Sequence, residues 1–303
     1  MTATRTDLTA TNGTIELAGS LWTPDAREPA ALILMYPGSG PSDRDNDVFF
    51  PPIREALLGA GAAVASFDKR GVGGSGGDWL EAGIRDQADD LVAFLAVARA
   101  AVHGVPVGLF GHSQGGWVVL EAAAETAADF VITSSGPSVS PRVQEEYSTR
   151  DSIARLNLGE AENDAIMASY GELFDRAGES YDSVAEWMAE PERAAHFDAL
   201  QSVGAFVPDG PVLWTFAGLI MDYDPAAVLS ALEVPLLAVL GAADNVVPVE
   251  ASAEGFRRTV KPELLTLRVL DGGDHRLQYP DTEELVPDYL PTLVEFVTAN
   301  PRS

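Results

Sequence analysis

Val107-Gly108-Leu109-Phe110-Gly111-His112-Ser113-Gln114-Gly115-Gly116 is a short apolar run that closes in Gly-x-Ser-x-Gly. It passes directly into Trp117-Val118-Val119-Leu120-Glu121-Ala122-Ala123-Ala124, which reads as a helix. A serine at such a strand-to-helix turn sits on a sharp, strained backbone, and the small residues two before and two after it let neighbouring chain pass close by. The helix behind it aims its free N–H groups and positive dipole end at the hydroxyl. The bland alternative is a tight turn carrying an inert serine. The buried strand before Ser113 and the Ala-rich helix after it favour an activated one.

Working outward, the flanking segments repeat the same rhythm. Ala30–Tyr36, Ala62–Asp68 and Phe130–Ser134 are continuous apolar runs, the pattern of strands buried on both faces. Helices are expected at Pro51–Gly61, with proline in the first turn and glycine at the end, and at Ile84–Val102. Thr14–Pro24 alternates partly and reads as one or two antiparallel edge strands. Strand, helix, strand, helix, strand makes a doubly wound, mostly parallel α/β sheet.

The rhythm breaks after about Ser138. Helices are expected at Arg142–Arg155, Glu160–Ala177, Ser183–Glu190 and Glu192–Val203, with Pro208–Pro211 interrupting them. Strand and helix alternation resumes at Val234–Leu240, followed by Glu250–Thr259, Leu264–Leu270 and Thr282–Thr298. The expected organisation is a core of residues 1–137 and 226–303 with a helical insertion at 138–225. Sites in open α/β sheets lie at the carboxyl ends of the strands, so the insertion reads as a lid over the substrate pocket.

Composition bounds the function. The 303 residues contain no cysteine, which excludes disulfides, thiolate catalysis and cysteine-ligated metals. Four histidines (His103, His112, His196, His275) argue against a multi-histidine metal site, and no cofactor or metal is expected. The formal net charge of −27 repels phosphate backbones and anionic lipid, so neither nucleic acid nor membrane is an expected partner. The polar N-terminal stretch lacks the basic and apolar regions of a signal peptide, and no apolar run is long enough to span a membrane. A cytoplasmic protein acting on a small-molecule substrate is the expectation. The Gly-rich Lys69–Gly77 stretch lacks the spacing of a phosphate-binding loop and reads as a tight connection.

A serine hydroxyl needs a base, and the base needs an orienting acid. Leu240-Gly241-Ala242-Ala243-Asp244 puts an acid just beyond one buried strand, and Leu270-Asp271-Gly272-Gly273-Asp274-His275 puts a histidine just beyond the next. The order serine, aspartate, histidine is that of the sheet hydrolases. Ser113 is assigned as nucleophile, His275 as base and then acid, and Asp244 as the group that orients the imidazole. Asp271 and Asp274 are rival acids on an awkwardly short tether; Asp222 and Asp224 are weaker rivals. His103 suits a helix C-terminus, His112 is read as packing, and His196 as a surface residue of the insertion. The backbone N–H of Gln114 is a donor for a developing oxyanion.

These residues give the chain a family resemblance. Gly111–Gly115, Phe67-Asp68-Lys69-Arg70-Gly71-Val72-Gly73-Gly74-Ser75, Gly241–Pro248 and Gly273-Asp274-His275 resemble the α/β-hydrolase superfamily, in its serine esterase and serine aminopeptidase-like branch. The resemblance covers about 10–137 and 225–300. It implies a second oxyanion donor in the loop after the first core strand, Tyr36-Pro37-Gly38-Ser39-Gly40. Many relatives have His-Gly where this chain has Pro37-Gly38. Because proline has no N–H, the donor falls to Ser39, with Gly38 second. Asp43-Arg44-Asp45 in the same loop reads as a structural ion-pair turn.

The expected reaction is cleavage of a carboxylic ester through an acyl-enzyme. Alternatives on the same triad are an aminopeptidase, with acids of the insertion (Glu145, Glu146, Glu160, Glu162, Asp164, Glu172, Asp175) holding a substrate amine, and an acyl-thioesterase. A non-catalytic binding module on the same fold is the reading from another class; an intact serine, aspartate and histidine argue against it. Oligomeric state is left open between monomer and homodimer.

Overall fold

The computed structural model describes residues 2–300. Among them, eight strands form one sheet in the order β1-β2-β4-β3-β5-β6-β7-β8. These are β1 (Ala3–Asn12), β2 (Ile15–Pro24), β3 (Ala31–Tyr36), β4 (Ala62–Phe67), β5 (Val107–His112), β6 (Phe130–Ser134), β7 (Leu236–Gly241) and β8 (Leu265–Leu270). β1 and β2 pair antiparallel and β2 meets β4 antiparallel. Every other pairing is parallel.

The apolar runs are continuous because each central strand serves two cores. In β3, Leu32, Leu34 and Tyr36 face one cluster while Ala31, Ile33 and Met35 face the other. This is the two-residue period of a strand covered on both sides. One face is covered by α2 (Ile84–Ala101) and α3 (Gln114–Glu125), the other by α1 (Phe50–Ala60) and α11 (Tyr289–Ala299).

Between β6 and β7 the chain runs through α4 (Pro141–Ala154), α5 (Glu160–Asp175), α6 (Tyr181–Met188), α7 (Pro191–Ser202), α8 (Pro211–Ile220) and the short α9 (Ala226–Ser230). Their apolar faces, including Ile153, Tyr170, Leu173, Trp214 and Phe216, belong to the same buried cluster as Leu34 and Val118. Trp117 Nε1 donates to Val139 O at 3.0 Å, and Phe216 packs edge-on against Trp79. The last helix pair of the core is α10 (Val249–Thr259) and α11.

Three departures from the sequence reading have local causes. β1 is polar and Thr-rich and shows no apolar face, because it is the outer edge strand; a ten-residue register with β2 defines it instead. After the interruption at Pro208–Pro211, the chain forms α8 with Pro211 in its first turn, where a missing N–H costs nothing. α11 begins at Tyr289 rather than Thr282, because Gln278 and Leu285 bridge antiparallel and spend the intervening backbone on a turn. Among the described residues, no helix is long and apolar enough to cross a membrane.

Candidate functional site

Ser113 stands between β5 and α3 with φ 54° and ψ −123°, a left-handed conformation that a non-glycine residue rarely adopts. Two hydrogen bonds hold it there: Ser113 N–H donates to Ser134 O at 3.0 Å, and Gly116 N–H to Ser113 O at 2.8 Å. The flanking glycines are required by close approach. A Cβ on Gly111 would lie 2.1 Å from Gly115 O, and one on Gly115 would lie 2.6 Å from both Tyr36 O and Pro37 O.

Two further loops at the carboxyl ends of the strands converge on this serine. Ser113 Oγ lies 2.9 Å from His275 Nε2, and His275 Nδ1 lies 2.9 Å from Asp244 Oδ2. A carboxylate only accepts, so Nδ1 carries the proton and Nε2 is left to accept from the serine hydroxyl. The other carboxylate oxygen, Asp244 Oδ1, accepts from the N–H groups of Val246 and Val247 at 2.8 and 2.9 Å. Asp244 is buried, with no exposed side-chain surface, while the His275 side chain keeps 19% of its surface open. The three assigned residues are thus one hydrogen-bonded chain.

Two of the four rival acids are engaged elsewhere and two are exposed. Asp274 Oδ1 accepts from the N–H groups of Arg276 and Gln278 and closes the turn that presents His275. Asp224 caps the start of α9 through Ala226 N–H, and Asp271 and Asp222 are exposed. His112 is buried, but it does more than pack. Its Nδ1 meets Asn46 Nδ2 at 3.0 Å and its Nε2 meets His275 O at 3.2 Å. A carbonyl only accepts, so Nε2 bears the proton and Nδ1 accepts from the Asn46 amide. Burial, and next the nearby His275, hold its pKa well below the usual histidine value, so the ring stays neutral. His196 is less exposed than a surface residue: its Nδ1 lies 2.8 Å from Ser169 Oγ and links α7 to α5. His103 is exposed just beyond α2.

Gln114 is the first residue of α3, so its N–H has no acceptor within the helix. Gly38 lies against Ser113: a Cβ there would sit 3.3 Å from Ser113 Cβ. Ser39 follows it on the exposed side of a cleft of about 480 Å³ that also reaches Ser113, His275, Asp43 and Asp47. Arg276 and Asp47 pair at 3.3 Å along this cleft. Asp43-Arg44-Asp45 divides its work. Arg44 binds Asp68 through Nε and Nη2 at 2.9 and 2.7 Å, Asp45 pairs with Arg54, and Asp43 lines the cleft.

The sequence reading gave Asp68 and Lys69 no task. Burial pushes the Asp68 carboxyl up, but the Arg44 side chain and the N–H groups of Gly74 and Arg44 together hold it below the usual carboxylate value. Lys69 Nζ reaches Gly38 O, Gly40 O and Gln114 Oε1. The available signal was a charged pair placed immediately after a buried strand. Of the acids of the insertion, Glu146 and Asp175 pair with Arg142 and Asp164 pairs with Arg150. Glu145 differs from them: burial pushes its carboxyl up to about 7. The insertion touches the acid loop directly, with Gln144 Nε2 donating to Val246 O at 3.1 Å and Tyr147 Oη to Asp244 O at 3.2 Å.

Comparison with known proteins agrees with this geometry at the level of fold. The family described as serine aminopeptidase, S33, matches residues 29–163. An Escherichia coli protein described as an uncharacterized 31.7 kDa protein in the traX-finO intergenic region is 23% identical over 212 residues, spanning 67% of this chain and 70% of that one. Among solved structures, Est1E of Butyrivibrio proteoclasticus, with ferulic acid bound, superposes with a TM-score of 0.64 at 18% identity, covering 97% of this chain and 98% of that one. The proline iminopeptidase of Mycobacterium smegmatis superposes with a TM-score of 0.63 at 18% identity and the same coverage. Likeness at these identities establishes a shared fold.

Proposed function

We propose that this chain is a serine hydrolase of the α/β-hydrolase superfamily that cleaves a carboxylic ester through an acyl-enzyme on Ser113. The single observation that carries the reading is the continuous chain from Ser113 Oγ through His275 to the buried Asp244, two contacts of 2.9 Å opening onto a cleft.

In this reading, Ser113 Oγ attacks the acyl carbon as its proton passes to His275 Nε2. The imidazolium formed is stabilised by Asp244 through Nδ1–H. The N–H groups of Gln114 and Ser39 receive the negative charge that develops on the carbonyl oxygen. His275 then gives its proton to the leaving alkoxide. A water molecule, deprotonated by the same nitrogen, attacks the acyl-enzyme and releases the acid. No metal or cofactor is needed for any step. The helices between Pro141 and Ile220 act as a lid, and their contacts to the Asp244 loop couple lid placement to the triad.

A second reading keeps the triad and changes the leaving group to an amine. It is favoured by the match of residues 29–163 to the serine aminopeptidase family.

The test is covalent labelling followed by turnover. A fluorophosphonate probe is expected to label the protein at Ser113 and to leave Ser113→Ala unlabelled. Short-chain nitrophenyl esters are expected to turn over faster than acyl-CoA or aminoacyl amides. Labelling elsewhere, or none, removes the nucleophile assignment. Amide turnover without ester turnover selects the second reading.

A further inference from the structure

Lys69 is one of two lysines in the sequence, the other being Lys261, and it is buried. A buried ammonium needs hydrogen-bond acceptors for its protons, or it forfeits its hydration for nothing. Lys69 has three: Gly38 O at 2.5 Å, Gln114 Oε1 at 3.1 Å and Gly40 O at 3.4 Å. All three only accept, which matches the three N–H groups of the charged form; a neutral amine would leave one acceptor facing a lone pair. No carboxylate is among these partners. The adjacent Asp68 is held by Arg44 instead. Burial lowers the Lys69 pKa to about 7, so the arrangement is costly to maintain.

The position of these acceptors gives the cost a purpose. Gly38 and Gly40 flank Ser39, and Gln114 is the residue after the nucleophile. One side chain therefore ties together the two segments whose N–H groups face the acyl oxygen in the reaction above. The backbone repeats the tie, since Lys69 N–H donates to Ser42 O at 3.2 Å in the same loop.

We propose that Lys69 is a positioning residue for the oxyanion site, clamping the Gly38–Gly40 loop to Gln114 so that the N–H groups of Ser39 and Gln114 converge on one oxygen. This rests on the assignment of Ser113 as an acyl-transfer nucleophile. Charge on that oxygen exists only as the tetrahedral state forms, so loss of the clamp acts on kcat and leaves substrate binding nearly unchanged.

The test uses the full chain carrying Lys69→Met, which keeps the length and packing of the side chain but cannot donate. With an ester that the wild type turns over, kcat is expected to fall by about 10²-fold, the scale of one lost or misplaced oxyanion donor, while KM moves by less than about threefold. The inhibition constant of a trifluoromethyl ketone, which captures the tetrahedral oxyanion, is expected to rise by the same factor as kcat falls. A residue that only stabilises the fold would lower the melting temperature without that parallel rise.

Gln114→Met is the second variant. It removes one acceptor of the clamp, keeps the backbone N–H, and is expected to lower kcat about tenfold, with the double variant no worse than Lys69→Met because both break one unit. An active Lys69→Met with wild-type kcat, unchanged ketone affinity, or fully multiplicative losses in the double variant each overturns the clamp. A wild type that is neither labelled at Ser113 nor active on esters overturns the underlying reading instead. Should Lys69→Met fail to fold, Gln114→Met decides alone: wild-type kcat and ketone affinity overturn the proposal.

Discussion

Replacing Asp244 by asparagine tests the proposed proton path at its least accessible point. The two side-chain oxygens of Asp244 have different partners: Oδ1 takes two backbone N–H groups, from Val246 and Val247, and Oδ2 takes His275 Nδ1–H. An asparagine must put its carbonyl oxygen toward the two N–H donors, because the reverse orientation would bury an NH2 against both. Its NH2 then faces His275 Nδ1. The imidazole responds by accepting at Nδ1 and carrying its proton on Nε2, where it points at Ser113 Oγ and can no longer accept the serine proton. Inverting the tautomer in this way costs about 10⁴-fold in kcat in serine proteases, equivalent to roughly 5.5 kcal/mol in the barrier. Stability should change little, since the backbone hydrogen bonds to Oδ1 persist. The assay is kcat for a nitrophenyl ester by steady-state kinetics, with a thermal melt as the folding control. A well-folded Asp244→Asn within tenfold of wild type would refute the tautomer argument and return the acid role to Asp271 or Asp274.

Three other perturbations follow from the packing and the charges. Gly115→Ala drives a Cβ to 2.6 Å from two backbone carbonyls that cannot move independently of β3; a loss of about 3 kcal/mol, or on the order of 5 °C in the melting midpoint, is expected. An unchanged melting curve would contradict it. Arg44→Ala leaves Asp68 with two backbone N–H groups and no counter-ion, and should cost roughly 3 kcal/mol at neutral pH. Because Asp68 is held below its ordinary pKa, that difference should shrink as pH falls below about 4, measured by urea melts across pH. Lys69 titrates the opposite group in the same sense. Its folded pKa of about 7 lies below the unfolded value of about 10.4, so the unfolded chain binds the extra proton between those limits and wild-type stability rises there. Stability of wild type relative to Lys69→Met should therefore increase from pH 7 to 10 in urea melts, and a flat difference would contradict the lowering of its pKa by burial.

Much of this was legible in the linear chain because local patterns carried it. The central strands β3 to β7 announce themselves as uninterrupted apolar runs, since each must satisfy two cores at once. Ser113 and Asp244 were readable because each follows such a strand, and His275 because it follows the edge strand β8 in a chain order that the fold constrains. β1 was illegible because an edge strand has almost no buried face to advertise. α8 was missed because Pro211, read as part of an interruption, instead opens the helix in its first turn.

The roles of His112, Asn46 and Lys69 lay beyond any local pattern. Asn46 and His112 are 66 positions apart, and Lys69 and Gln114 are 45 apart, yet each pair shares a hydrogen bond. Nothing in a histidine beside Ser113, or in a lysine within a Gly-rich turn, says which distant carbonyl will meet it. The sequence alone picked out Ser113, Asp244 and His275 and the end of the sheet at which they stand, because strand burial and chain order are periodic, short-range properties. Only the tertiary structure decided what holds those residues in register, because a buried polar side chain takes its partners from whichever loops the packed sheet brings against it.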